Sequence, residues 1–265
     1  MKFSIVLSTQ PTTFSALAYQ GKLLENIARI RALGYDGIEL AVRDPGLIDV
    51  TSLMSILKEH RLPVSAIGTG QAYVEERLSF TDPREEVRQK AIQRIKAQAQ
   101  LAEHFDTIVI IGLVRGKREP ELDTDTAERW VVNALRACAS ENTSVRFAIE
   151  PVNRYETNLV NTARSGIDLL EKVDRKNVGL LLDTFHMNIE EPSITESIKL
   201  VGDLLFHFHV ADSNRWYPGA GHIDFPSIFA TLEEIGYTGY VSAEILPLPD
   251  PDVAAKKTIE YLRRF

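Results

Sequence analysis

Four residues able to do acid–base or metal chemistry recur down the second half of the chain: Glu150, Asp183, His209 and Glu244. Each lies at or near the end of a short apolar run, in VRFAIE, VGLLLD, LFHFHV and YVSAEI, and successive members are 33, 26 and 35 residues apart. Taken singly, a strand-ending carboxylate is solvated or caps a helix, and His209, two residues after His207, can be a hydrogen-bonded core histidine. Gathered at one point, three carboxylates would repel one another, and burial would raise the cost of each. A divalent cation removes that conflict. Three carboxylates and one neutral imidazole, with no thiolate, suit Mn²⁺, Mg²⁺ or Co²⁺ better than a structural zinc.

Whether the four meet depends on the elements that carry them. Short β-branched apolar runs recur at 3–8, 37–42, 63–68, 107–112, 145–150, 178–183, 205–210 and 240–245. Between them lie segments with helical spacing, such as 23–34, 85–105 and 127–140, and several end at glycine, as in RALGYDG and EEIGYTG. The runs are continuous rather than alternating, as parallel strands covered on both faces require. Eight strands alternating with about eight helices predict a (β/α)8 TIM barrel, one domain over residues 1–265. The first strand is followed by STQPTTFS rather than a glycine-rich phosphate turn, which argues against a doubly wound sheet. In a barrel, the C-terminal strand ends share one rim. The four residues above then sit on four consecutive strands of it.

Three further residues stand one loop outward: His186 beyond Asp183, Arg215 beyond His209 and Glu156 beyond Glu150. Strand-to-helix loops are where a barrel contacts its substrate, although each residue alone also reads as a solvated loop position. PGAGHIDF (218–225) reads as structural, with Asp224 capping a helix that has Pro226 in its first turn.

Composition narrows the partners. The net charge is −7 and there is no basic block, so nucleic acid and anionic membrane have no electrostatic footprint. No stretch approaches the ~18 apolar residues of a membrane span, and MKFSIVLSTQ is too short an apolar run for a signal peptide. With a single cysteine, Cys138, no internal disulfide forms. The expectation is a cytoplasmic enzyme taking a small molecule, with a symmetric dimer or tetramer as the prior for assembly.

The segments IEPVNRYETN, LLDTFHMNIEE, FHVADSNRWYPGAGHIDF and SAE resemble those of the xylose-isomerase-like barrel superfamily. Within it they are similar to the ketose 3-epimerases, the D-tagatose and D-psicose (allulose) 3-epimerase group. The resemblance implies that Glu150, Asp183, His209 and Glu244 are metal ligands, with Mn²⁺ the first choice. It implies that Glu150 and Glu244 double as the acid–base pair, and that Glu156, His186 and Arg215 hold the substrate near its carbonyl. IELAVRDP, AIGTGQAY and VIIGLVRGKRE resemble the 5-keto-L-gluconate epimerases of inositol catabolism, which interconvert 5-keto-L-gluconate and D-tagaturonate. A keto acid calls for a cation at the far end of the pocket, for which Arg43, Arg115, Lys117 and Arg118 are the candidates.

Inverting a carbon next to a ketone requires a proton to leave one face and another to arrive on the opposite face, a task for two carboxylates. An aldose–ketose isomerase of the hydroxypyruvate isomerase type and a lyase of the inosose dehydratase type are the competing readings. Both use the same kind of enediolate and differ in product. A zinc-cluster endonuclease needs more His and Asp ligands than strand ends three and four supply, and a sugar sensor has no use for two opposed acids.

Overall fold

A computed structural model describes residues 1–265. Eight parallel strands close into a barrel: β1 (Lys2–Ser8), β2 (Ile38–Ala41), β3 (Val64–Gly68), β4 (Ile108–Ile111), β5 (Arg146–Ile149), β6 (Val178–Asp183), β7 (Leu205–Val210) and β8 (Tyr240–Ala243). Closure is made by β1 on β8, with Lys2 to Ile5 in register with Tyr240 to Ala243. A two-residue strand, Tyr19–Gln20, adds to the upper end of β1. Each expected run holds a strand, and the helical segments at 23–34, 85–105 and 127–140 appear as Leu23–Ala32, Glu85–Glu103 and Thr124–Glu141. Thr124–Glu141 begins earlier than the apolar spacing marked because Asp123 caps it, accepting from the Thr126 N–H at 2.8 Å. There are ten α-helices rather than eight. The two short extra ones, Gly70–Glu76 after β3 and Thr184–Glu190 after β6, both stand on the rim.

The continuous apolar strands are explained by two cores. A large one lies between the strands and the outer helices, including Val109, Ile111, Phe147 and Ile149. A small one fills the barrel interior, where Ala66, Ile108, Ile110, Ala148 and Leu181 pack together. Alternate residues of β4 serve the two cores in turn, so both faces of that strand must be apolar. Asp224 caps the helix Phe225–Glu234 as expected. No helix is long and apolar enough to cross a membrane.

Candidate active site

β5 and β8 stop one residue before Glu150 and Glu244, Asp183 is the last residue of β6, and His209 is the last but one of β7. Asp183 and His209 are register partners. One ligand atom from each of the four lies within 4.8 Å of those of the others. His209 Nδ1 is 3.8 Å from Glu150 Oε1 and 3.9 Å from Asp183 Oδ2. These three atoms are buried and have no hydrogen-bond partner. An orphaned buried polar atom is costly, and three converging on one spot fit a hard or borderline divalent cation with oxygen and imidazole donors. Asp183 satisfies both readings of a strand-ending acid. Its Oδ1 caps the helix Thr184–Glu190 through the Phe185 N–H at 2.7 Å, leaving Oδ2 for the cluster.

The protonation of the ion-free cluster reflects the same conflict. Burial, then the Glu244 charge, pushes the Glu150 carboxyl well above its ordinary range. Burial also raises Asp183 and Glu244, against the opposing pull of His209 and Arg215. For His209, burial acts downward, but the Glu39 carboxylate, then Glu244 and Glu150, outweigh it and hold the imidazole up at about 10.

The outer ring is held from behind by Asn153. Its Nδ2 lies 2.8 Å from His186 Nδ1 and donates to Glu156 Oε1 at 2.9 Å. An acceptor role for Nδ1 puts the His186 hydrogen on Nε2, 3.7 Å from Glu150 Oε1 and 4.0 Å from Asp183 Oδ2. Burial, then Arg215, holds His186 well below its usual range, so it faces the acids as a neutral donor rather than an ion-pair partner. Arg215 donates to Glu244 at 2.8 Å and Glu156 at 3.3 Å, and its guanidinium lies over Phe185, 4.8 Å from the ring centre. It is reached through a left-handed turn, φ 62° at Arg215 itself. Arg154, next to Asn153, turns away and pairs with Glu190 at 2.8 Å.

Glu150, Glu156, His186, His209, Arg215 and Glu244 line a cleft of about 50 Å³ at the barrel mouth. Its opposite wall is Val6, Phe14, Leu17, Thr69, Gly70 and Gln71. The four basic residues expected to receive a carboxylate do not line it. Arg115 is fully buried, its guanidinium donating to the carbonyls of Gly112, Glu150, Leu159 and Val160, so it fastens the Glu150 backbone. Arg43 lies 3.6 Å from Glu76, Arg118 donates to the Leu122 carbonyl, and Lys117 is exposed. The loops after β2 and β4 carry these side chains away from the cleft.

Sequence reasoning missed two residues. Glu39, in the middle of β2, is 1% exposed and reaches across the barrel to His207 and His209. Its signal was a lone acid inside an apolar run, which demands a buried donor. Gln71 donates to Ser8 Oγ at 2.7 Å, while its buried Oε1 has no partner beside the cleft. Nothing in GTGQ marked it.

The family model described as xylose isomerase-like TIM barrel matches residues 27–265. The chain belongs to that family. Relatives of this xylose isomerase-like barrel include the L-ribulose 3-epimerase of Methylomonas sp. (strain DH-1), 34% identical over 82% of this chain and 76% of that protein. The 3-dehydro-D-guloside 4-epimerase of Escherichia coli (strain K12) is 30% identical over 91% of this chain and 94% of that protein. Among solved structures, an L-ribulose 3-epimerase superposes with a TM-score of 0.86 at 26% identity, covering 99% of this chain and 93% of that one. The Methylomonas D-allulose 3-epimerase with D-allulose gives 0.83 at 27% identity, over 100% and 98%. These relatives are epimerases, and the chain is an enzyme of the isomerase class.

Proposed function

We propose that this barrel is a divalent-metal-dependent epimerase that inverts the carbon next to the carbonyl of a ketose or a keto-hexonate. The observation that carries the reading is the convergence of Glu150 Oε1, Asp183 Oδ2 and His209 Nδ1, all buried and unpartnered, in a cleft also lined by Glu244. Mn²⁺ is the first choice of ion, held by Glu150, Asp183, His209 and Glu244. When bound, it supplies positive charge that lowers the cost of negative charge developing on substrate oxygens.

The rest is done by the chain. Glu150 and Glu244 come from strands three places apart and flank the cleft, so one removes the proton while the other delivers a proton to the opposite face. Their roles exchange with reaction direction. His186 Nε2–H and the Arg215 guanidinium donate to the carbonyl oxygen as it gains charge, and Glu156 accepts from a neighbouring substrate hydroxyl. Asn153 keeps the His186 hydrogen on the nitrogen that faces the cleft.

The pair 5-keto-L-gluconate and D-tagaturonate is the first candidate substrate, on the strength of IELAVRDP, AIGTGQAY and VIIGLVRGKRE. The cation that lines the cleft is Arg215, which also lies 5.4 Å over the Phe14 ring, and it would be the positive group nearest such a carboxylate. The neutral opposite wall favours a second reading, an uncharged ketose of the D-tagatose or D-psicose type, with the free Gln71 Oε1 accepting from a hydroxyl. The test is a panel of ketopentoses, ketohexoses and hexuronate keto acids, run in D₂O with Mn²⁺ and after chelation. The expected result is metal-dependent epimerisation with deuterium at the inverted carbon. A moved carbonyl would make the enzyme an aldose–ketose isomerase, and loss of water a lyase.

A further inference from the structure

Glu39 is held in a way the acid–base chemistry does not require. Its carboxylate is buried under the cluster, and both nearby imidazoles point at it with Nε2: His207 at 2.9 Å, His209 at 3.0 and 3.1 Å from the two oxygens. The two rings meet edge to face, 5.3 Å between centres, so neither swings without displacing the other. A neutral imidazole has one N–H and one lone pair, on different nitrogens. Donation of Nε2–H to Glu39 leaves the lone pair of His209 on Nδ1. That nitrogen is buried, has no hydrogen-bond partner, and faces the equally unpartnered oxygens of Glu150 and Asp183. The opposite tautomer would turn a lone pair toward the Glu39 carboxylate and, with a divalent cation bound among Glu150, Asp183 and Glu244, a hydrogen toward that ion, two unfavourable contacts for one proton moved.

We propose that Glu39 is a positioning residue that fixes the tautomer and ring plane of His209, so that Nδ1 is the lone pair presented to the divalent cation. His207 donates to the Oε2 that His209 also contacts, and this second donor stops the carboxylate from turning. The inference rests on the reading of Glu150, Asp183, His209 and Glu244 as a metal site. It assigns no ligand role to Glu39 itself.

The test is titration of the chelated full-length protein with Mn²⁺, following the free ion by electron paramagnetic resonance. One ion per chain is expected. Glu39→Gln replaces one acceptor oxygen by a donor and forces an imidazole to present its lone pair there, so the dissociation constant should rise about 10- to 100-fold, in the range for outer partners of metal-bound histidines. His207→Gln keeps a donor toward Glu39 and should stay within about 3-fold of the wild type, because His209 keeps its partner. Unchanged affinity in Glu39→Gln would overturn the proposal and leave the metal site standing, whereas a wild type that binds no Mn²⁺ would overturn both. Two ions per chain would make Glu39, His207 and His209 a second ion site, ending the positioning role. Should Glu39→Gln not fold, long-range ¹⁵N–¹H spectra of the Mg²⁺-loaded wild type decide the matter. His209 protonated at Nε2 supports the proposal, and protonation at Nδ1 overturns it.

Discussion

Strands β5 to β8 deliver Glu150, Asp183, His209 and Glu244 to the rim, whereas β1 to β4 end in Ser8, Ala41, Gly68 and Ile111. One half of the mouth carries charge that must be compensated, and the other carries small or neutral groups that leave room. The halves depend on each other. A Cβ on Gly112, just past β4, would come within 2.6 Å of Glu150 Oε2. The neutral half therefore shapes the acids of the other half, through an absent side chain at the rim and through Glu39 beneath it. The division also explains the misplaced cations. Arg43 and Arg115 belong to the neutral half, where one pairs with Glu76 and the other ties down backbone carbonyls.

The largest expected effect comes from breaking the charged half. Glu244→Gln removes one of the two proton-transfer groups and should lower the epimerisation rate at least about 10³-fold with the metal loaded, in the upper range for a lost acid–base group. A loss below about tenfold would show that Glu244 is not in the proton path. The neutral half is tested by Gly112→Ala. A methyl there must displace the Glu150 carboxylate, because a Cβ would come within 2.6 Å of Glu150 Oε2. A fall in kcat/KM of about 10- to 100-fold is expected from misplacing a reacting group, with metal affinity weakened as well. Unchanged kinetics would mean that Glu150 has slack and that the fit between the halves is loose.

The smallest effect is on stability and separates the halves by pH. Glu150, Asp183 and Glu244 hold protons more tightly in the folded, ion-free chain than when unfolded, and His209 does so up to about 10. Groups raised on folding stabilise fully below their unfolded values, and that stability is lost as pH rises through the folded ones. Between about pH 7 and about pH 9 the metal-free protein should lose melting temperature, while Mn²⁺, which needs these ligands deprotonated, should restore it by a growing margin. The lowered His207 and His186 act only on the acid side, where their stability falls as pH falls, and leave that window unaffected. A metal-induced shift that shrinks with rising pH would contradict the charged-half account. Calorimetry with and without chelator measures it.

Much of this was open to a reading of the residues. Continuous apolar runs punctuated by turn residues specify parallel strands because both faces must be buried, and the regular spacing of Glu150, Asp183, His209 and Glu244 needed only the barrel to bring them together. Asp183 could be read as cap or ligand, and both are true because a carboxylate has two oxygens. What the residues alone did not decide is direction. Whether Arg115 enters a cleft or turns back depends on the carbonyls that Gly112, Glu150, Leu159 and Val160 present to its guanidinium, and these come together only in the folded chain. Glu39 looked like an interruption in a buried strand. Only closure of the barrel, setting β2 across from β7, gives that acid two histidines 168 and 170 residues away. Local propensity and periodicity act over a few residues, so the sequence determined the strands and the order of their terminal groups. Pairings across the barrel interior arise from shear and closure of the whole sheet, and those the tertiary structure decided.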